Sequence, residues 1–315
     1  MSGLSARRTL PVIALASAGL MLVACAQTPT SSASSSAAAP STAAASAPAS
    51  AAASDAASAS AEPAIDECAP ENLTLLTPGT LTIGTDSPAY PPYFVDDDPT
   101  NGQGFESAVA YAVANTLGFG PSDVTWTVVP FNSSYAPGDK AFDFDINQIS
   151  ITPKRQKVVD FSDGYYTVNQ AVVALKDSPI ANATTIAELQ SAKLGAQIGT
   201  TSLDYINDVV KPAEQPYVYN DTNDAKSALQ NGQIDGIVVD LPTAYYITSV
   251  ELPKGKIVGQ FPALAGGEQF GLLFAKGNPL VTCVNNALAQ LTESGALQAI
   301  QDEWLAGETA PYFTE

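Results

Sequence analysis

The chain has 315 residues, no histidine and a formal net charge of -19 at pH 7. Such an excess of acidic residues argues against binding to nucleic acid or to an anionic membrane surface, because both carry negative charge themselves. The absence of histidine excludes Ser-His-Asp catalysis, Cys-His catalysis and a zinc site with histidine ligands.

The N-terminal residues 1–24 have the pattern of a secretion signal. Arg7 and Arg8 precede an almost entirely apolar or small run over 10–23. This run is too short for a good membrane-spanning helix, and polar sequence follows it closely.

The apolar run ends in Leu22-Val23-Ala24-Cys25, which resembles the lipobox of bacterial lipoproteins. In that class of protein the signal is cut before the cysteine, and the thiol is acylated. The resemblance implies a signal peptide over 1–24 and a lipid anchor at Cys25 that holds the chain on the outer face of the cell membrane. A chance cysteine at the end of an ordinary signal peptide is the alternative.

Residues 25–65 are overwhelmingly Ala and Ser, with scattered Pro and Thr. A segment of this composition buries too little apolar surface to offset the entropy lost on ordering it. We interpret it as a disordered tether, which would hold the following domain away from a membrane surface.

The folded part, about 245 residues long, opens with a strand–helix–strand pattern. Residues 81–85 predict a short strand. Apolar residues then recur every four positions from Phe105 to Leu117, which predicts a helix that ends at Gly118. Alternating apolar residues over 124–131 predict a second strand. This order indicates a βαβ unit with a parallel sheet.

A second α/β unit follows in the later half of the sequence. We predict strands over 194–198, 217–219 and 236–240. Helices are predicted over 203–210, capped by Thr201 and Ser202, and over 223–230. C-terminal helices are indicated by Leu288, Leu291, Ile300, Trp304 and Leu305. The fold class is therefore α/β, with two units that each have their own sheet.

Cys68 and Cys283 lie near the two ends of the folded part. In an exported chain, an even pair of cysteines favours a disulfide, which would join the N-terminal edge to a C-terminal helix. Two buried thiols are the alternative.

Polar or aromatic residues follow five of the predicted strands. Ligands of open α/β sheets bind outside the carboxyl ends of the strands. The residues at these ends are Asp86 with Tyr90, Phe131, the segment 150–155, Thr200 with Thr201, and Asp240.

Two of these positions together predict a site for a zwitterion. Thr152 followed by Pro153 is typical of a helix start, and Arg155 then lies in the first turn, where a carboxylate is favoured. Asp240 ends an apolar strand and is placed to receive an ammonium group. A surface arginine on a capped helix and a turn-forming aspartate are the alternatives.

Several segments together resemble the bacterial extracellular solute-binding proteins of family 3, which serve ABC importers of polar amino acids. These segments are 81–93, 149–155, 159–166, 195–202, 232–236 and Asp240. The resemblance implies a two-lobed periplasmic-binding-protein type II fold with two hinge strands. Its first lobe would hold 66–172 and 270–315, and its second 173–269.

The resemblance also implies a role for each matching residue. Arg155 would bind the α-carboxylate of the ligand, with Ser150, Thr152 and Thr201 beside it, and Asp240 would bind the α-amino group. The other matching residues are Tyr90 and Phe131, which would sandwich the ligand, and Asp86, which would lie near its side-chain end.

Gln148 departs from the family pattern, which has a small residue at this position. A glutamine there would crowd the ligand or form a hydrogen bond with its side chain. The side-chain class of the ligand therefore stays open: neutral polar ligands fit with least strain, whereas a basic ligand would need acids such as Asp86 and Asp145.

We therefore interpret the chain as a monomeric, extracytoplasmic solute-binding lipoprotein that passes an amino acid to a membrane ABC permease. It is not expected to be an enzyme or to need a cofactor or metal. The alternatives are a solute sensor for a membrane signalling partner, or an enzyme on the same fold that relies on Asp86, Glu106 or Asp145.

Overall fold

The computed structural model describes residues 67–263, 266–305, 307 and 309–315. The predicted signal peptide, Cys25 and the tether up to residue 65 lie outside the described residues. Ten strands are found in the described part: β1 (Leu81–Thr85), β2 (Val124–Val128), β3 (Phe144–Asp145), β4 (Val159–Val168), β5 (Gln170–Leu175), β6 (Leu194–Gln197), β7 (Tyr217–Tyr219), β8 (Gly236–Asp240), β9 (Gly255–Gln260) and β10 (Glu268–Ala275).

Seven α-helices accompany these strands in the same part of the chain. They are α1 (Phe105–Thr116), α2 (Phe131–Ser134), α3 (Thr201–Tyr205), α4 (Thr222–Gln230), α5 (Leu241–Tyr246), α6 (Leu280–Glu293) and α7 (Ala296–Leu305). None of the helices among the described residues has the length and apolar character that crossing a membrane requires.

The first sheet has the strand order β2-β1-β3-β10-β4. Strand β1 pairs in parallel with β2 and β3, whereas β10 runs antiparallel to β3 and β4. The predicted βαβ unit of β1, α1 and β2 is therefore confirmed. Helices α1 and α6 pack on this sheet through one aromatic-rich core that includes Tyr93, Phe105 and Phe270. This sheet and its helices form the first lobe.

The second sheet has the strand order β7-β6-β8-β5-β9. Strand β6 pairs in parallel with β7 and β8, and β5 runs antiparallel to β8 and β9. Mainly aliphatic cores cover its two faces, with Val172 and Val238 on one side and Ile237 and Leu229 on the other. This sheet and its helices form the second lobe.

The chain crosses between the lobes at two adjacent points. Strand β4 of the first sheet is followed, after Asn169, by β5 of the second sheet, and β9 of the second sheet leads to β10 of the first. The expected lobe boundaries, after 172 and after 269, fall inside β5 and β10. The strand pairings place both crossings slightly earlier.

The last residues of the chain return to the second lobe. The Thr314 N–H donates to the Thr184 carbonyl at 3.0 Å, and the Phe313 N–H donates to the Gln260 carbonyl at 2.9 Å. The Phe313 ring is 2% exposed within the core of this lobe. Residues 309–315 thus pack with the second lobe, in contrast to the expected assignment of 270–315 to the first.

A disulfide joins Cys68 to Cys283, with their Cα atoms 5.4 Å apart. It connects the N-terminal edge of the first lobe to α6, as the sequence predicted.

Two predicted helix starts differ from the structure. Thr200, and not Thr201, caps α3, because its hydroxyl accepts a hydrogen bond from the Leu203 N–H at 3.2 Å. After Tyr205 the chain continues as a single π-helical turn over Ile206–Val210. The helix expected after Thr152 is only a short 3-10 turn, Arg155–Lys157.

The predicted strand over 124–131 ends at Val128, and Phe131 opens α2 instead.

Candidate functional site

A cleft lies where the two lobes face each other, at the carboxyl ends of β1, β6 and β8. Its lining comes from both lobes and is mainly polar: Asp86, Tyr90, Phe131, Asn147, Gln148, Gln197, Thr200, Thr201, Ser202, Thr222, Val238, Val239, Asp240 and Thr243. The placement follows from the topology, because the ends of parallel strands in each sheet open onto the same edge.

The structure brings six of the nine predicted ligand-binding residues to this lining: Asp86, Tyr90, Phe131, Gln148, Thr201 and Asp240. The other three lie behind it. The Ser150 hydroxyl is 3.4 Å from that of Thr201. Thr152 lines a separate, neighbouring opening together with Thr201 and Glu268. Arg155 is buried next to Phe131 and does not line the cleft.

Arg155 bridges the lobes through neutral partners. One guanidinium nitrogen donates to the Ser150 carbonyl of the first lobe at 2.7 Å, and the other donates to the Gly199 carbonyl of the second at 2.9 Å. The guanidinium carbon also lies 5.4 Å from the centre of the Phe131 ring and 4.9 Å from that of Tyr135. We call these five residues the Arg155 cluster. Carbonyl dipoles and ring faces both stabilise a buried cation.

A hydrogen bond to Thr152 fixes the backbone from which the Arg155 side chain extends. The Thr152 hydroxyl accepts a hydrogen bond from the Arg155 N–H at 3.2 Å, which orders the short turn. Arg155 is only 6% exposed, and burial lowers the pKa of its guanidinium. Its charge is therefore held in a poorly solvated position where an anionic partner would be strongly favoured.

Gly199 is the member of the Arg155 cluster that comes from the second lobe. Its φ is +77°, and a Cβ atom there would lie 2.2 Å from the Tyr135 hydroxyl oxygen. A side chain at this position would be strained and would displace the Tyr135 side chain, so glycine permits the observed contact without rearrangement.

Asp240 ends β8 and faces the fully buried Gln170 across the sheet. The Gln170 side-chain N–H donates to an Asp240 carboxylate oxygen at 2.6 Å and to Glu268 at 3.2 Å. Burial, and then the nearby Glu268 charge, raise the pKa of Asp240. One amide group thus holds two carboxylates at the base of the cleft.

Ser150 is also bonded to one of these two acids. Its hydroxyl donates to Glu268 at 2.5 Å, and it lies fully buried between the lobes. Gln170 and Glu268 were not among the predicted site residues. Both lie where the chain crosses between the lobes, at the first residues of β5 and β10. Their position next to a predicted crossing is the feature of the sequence from which their role could have been inferred.

Gln148 has an unusual backbone conformation, with a φ of +49°. Its backbone N–H donates to Glu106 at 2.7 Å, and its side-chain amide donates to the other Glu106 oxygen. The Tyr165 hydroxyl donates to the same carboxylate at 2.5 Å. We call Gln148, Glu106 and Tyr165 the Gln148 cluster. Burial raises the pKa of Glu106 to about 7, although these three hydrogen bonds favour its charged form.

Asp86 follows β1 and accepts two backbone hydrogen bonds. One carboxylate oxygen binds the Ser87 N–H at 2.7 Å, and the other binds the Phe131 N–H at 3.0 Å. These bonds fix the carboxylate at the edge of the cleft and tie the start of α2 to β1. Burial, and then the negative charge of Asp221, raise the pKa of Tyr90 beside it.

No group of three or more acidic or cysteine side chains is arranged to hold a metal ion within the part of the chain that the structure describes. The polar groups that line the cleft suit an organic ligand with both donors and acceptors.

The model of a family described as bacterial extracellular solute-binding proteins, family 3, matches residues 81–307. This range contains both sheets and every residue that lines the cleft.

Similar proteins of known binding activity cover most of the folded part. The L-cystine-binding protein TcyJ of Escherichia coli K12 is 27% identical over 232 residues, 73% of this chain and 84% of the relative. The arginine-binding extracellular protein ArtP of Bacillus subtilis 168 is 27% identical over 233 residues, 72% of this chain and 87% of the relative.

Solved structures show the same architecture. An ancestral arginine-binding protein bound to arginine is 30% identical, with a TM-score of 0.61, and the match covers 72% of this chain and 99% of that one. The two-lobed type II fold that the sequence resemblance implied is therefore confirmed. The relatives named above bind amino acids.

Proposed function

The chain belongs to the bacterial extracellular solute-binding proteins of family 3, and from this premise we propose that it binds an amino acid in the cleft and delivers it to an ABC importer. Cystine and arginine are the first ligands to test, because similar proteins bind them. We propose binding without turnover, by a monomer.

The observation that best supports this proposal is the pair of opposite charges from different lobes. Arg155 belongs to the first lobe and Asp240 to the second, and neither has an ion-pair partner within 4.0 Å among the described residues. A free amino acid carries the two complementary charges on adjacent atoms. Binding it would therefore require both lobes at once, which couples ligand capture to closure.

The carboxylate would compete for the Arg155 guanidinium with the neutral carbonyls of Ser150 and Gly199. A charged acceptor forms hydrogen bonds about twice as strong as a neutral one, so this exchange is favourable if Arg155 turns toward the cleft. The ammonium group would be bound by Asp240, which the Gln170 amide already holds in place.

The proposal is tested by a thermal-shift screen of the full chain against the twenty amino acids, followed by calorimetry. A ligand at 100 times its Kd stabilises the folded protein by about 2.7 kcal/mol, so a true ligand stands out clearly. A folded, ligand-free protein that responds to none of the twenty would contradict the proposal.

We further propose that a lipid on Cys25 anchors the mature chain to the outer face of the cell membrane, with 25–65 as the tether. This part of the proposal is supported by the sequence pattern that ends in Cys25. Metabolic labelling with a fatty-acid analogue should mark the wild-type chain and leave the Cys25→Ala variant unmarked. Equal labelling of both chains would place the lipid elsewhere.

A further inference from the structure

The acids around the cleft have almost no counter-charges. Five carboxylates line it or lie directly behind it: Asp86, Glu106, Asp145, Asp240 and Glu268. Among the described residues, the two ion pairs, Lys226–Glu251 and Lys276–Asp160, are both elsewhere. The cations near the five acids are Arg155, which binds carbonyls, and Lys140, which binds the Ala136 carbonyl.

Asp145 is the most exceptional of these acids. It is completely buried beneath Gly84, and neither of its carboxylate oxygens has a hydrogen-bond partner among the described residues. Two residues further on, Asn147 lines the cleft with only 6% of its surface exposed, and its amide nitrogen is also unpartnered there. Unpartnered buried groups of this kind are uncommon in folded proteins, and here they lie at and just behind the lining of the cleft.

Gln148 connects these acids to the cleft. Its side-chain nitrogen is committed to Glu106, so the oxygen of the same amide is the atom that remains for a ligand. An amide oxygen is a hydrogen-bond acceptor only. The side-chain subsite therefore presents acceptors, Gln148 and Asp86, with the buried carboxyl group of Asp145 behind them.

We infer that the cleft selects an amino acid whose side chain ends in a cation, a guanidinium or an ammonium group, and that Gln148 is a specificity-determining residue for it. This inference rests on the proposed amino-acid-binding function. The ligand cation would donate to the Gln148 carbonyl and balance the charge of Asp86. An acidic side chain would be repelled by the same groups, and a neutral one would leave their charge uncompensated.

The first test is calorimetry on the full chain with two matched ligand pairs: arginine with citrulline, and lysine with norleucine. Citrulline has the shape of arginine without its charge, so the pair isolates the cation. We expect at least one cationic ligand to bind at least about 30-fold more tightly than its neutral partner. If citrulline or another neutral or acidic amino acid binds as well or better, the substrate class is overturned and the proposed function stands. If no amino acid binds, the proposed function itself fails.

The second test replaces Gln148 by methionine, which has a similar length and no amide. The Gln148→Met variant should lose about 10-fold in affinity for the cationic ligand, with a much smaller loss for its neutral partner. Gln156→Met, at an exposed position nearby, is the control and should bind like wild type. An equal loss for both ligands of a pair would show that Gln148 only shapes the cleft, and would overturn its role in specificity.

Discussion

Arg155 and Glu106 are both buried charges of the first lobe, but the protein stabilises them in different ways. The Arg155 cluster surrounds a cation with two neutral carbonyls and two ring faces. The Gln148 cluster surrounds an anion with three hydrogen-bond donors. The first arrangement leaves room for a stronger, charged partner, whereas the second already satisfies both oxygens of its carboxylate.

This difference separates two roles that burial alone does not distinguish. A buried charge held only by neutral groups can exchange them for a ligand, and Arg155 fits that description. A buried charge that is fully hydrogen-bonded acts as a fixed support, and Glu106 fits that one because it orients Gln148. The expected effects of substitution in the two clusters therefore differ in kind.

The largest effect is expected for Arg155→Ala. If Arg155 binds the ligand carboxylate, the variant should lose about 100-fold or more in affinity, because removal of one member of a buried charge pair costs 2–5 kcal/mol. Calorimetry with the ligand found by the screen measures this loss. Lys154→Ala is the control, since Lys154 is exposed and its loss should leave binding unchanged. An unchanged Kd in Arg155→Ala would remove Arg155 from the site.

The Gln148 cluster should affect how the free energy of unfolding depends on pH. Burial raises the pKa of Glu106 from 4.5 to about 7, so the folded protein binds a proton that the unfolded chain releases between these values. The contribution of Glu106 to stability is therefore present below pH 4.5 and is lost as the pH rises through about 7. The loss is about 3 kcal/mol, from 1.36 kcal/mol for each pKa unit.

The Glu106→Gln variant should flatten this part of the pH dependence, because glutamine does not titrate. Urea unfolding at pH 5 and pH 8 provides the comparison, and Lys154→Ala, at an exposed position, serves as the control that keeps the wild-type slope. Other buried acids, such as Asp145 and Asp240, add a dependence of the same sign in both chains. Identical slopes in wild type and Glu106→Gln would show that Glu106 is not the titrating group.

A smaller effect is expected for Gly199→Ala. The added methyl group meets the Tyr135 hydroxyl, and alanine is strained at a φ of +77°. A left-handed conformation costs a non-glycine residue about 1–3 kcal/mol, so ligand affinity should fall about 10-fold as closure becomes harder. Gly277→Ala is a suitable control, because its φ is +79° but nothing lies near its Cβ. If both variants bind equally well, contact between Gly199 and Tyr135 is not needed for closure.

The hydroxyl cap that Thr152 provides for Arg155 could be predicted from the sequence, whereas the partners of Gln148 could not, for a physical reason. Thr152, Pro153 and Arg155 are neighbours, and the hydrogen bond that orders them spans three positions. Gln148 instead depends on Glu106 and Tyr165, which are brought to it by packing of α1 and β4. The sequence identified Gln148 as unusual, but the partner that fixes its amide requires the folded lobe.

The same distinction explains the predictions of the fold. Strand and helix patterns, such as those of β1, α1 and α4, are local and were recovered. The return of 309–315 to the second lobe depends on pairing with Gln260 and Thr184, far away along the chain, and has no local pattern. The acids Asp240 and Glu268 likewise meet only because both crossings lie side by side.

The two ends of the folded part are attached to different lobes. Cys68 is bonded to α6 in the first lobe, and Phe313 is buried in the core of the second. A fluorophore attached just before Cys68 would therefore move with the first lobe, and one attached after Thr314 would move with the second. Their energy transfer would measure changes in the distance between the lobes, with both dyes at the ends of the folded part and no substitution needed inside the cleft.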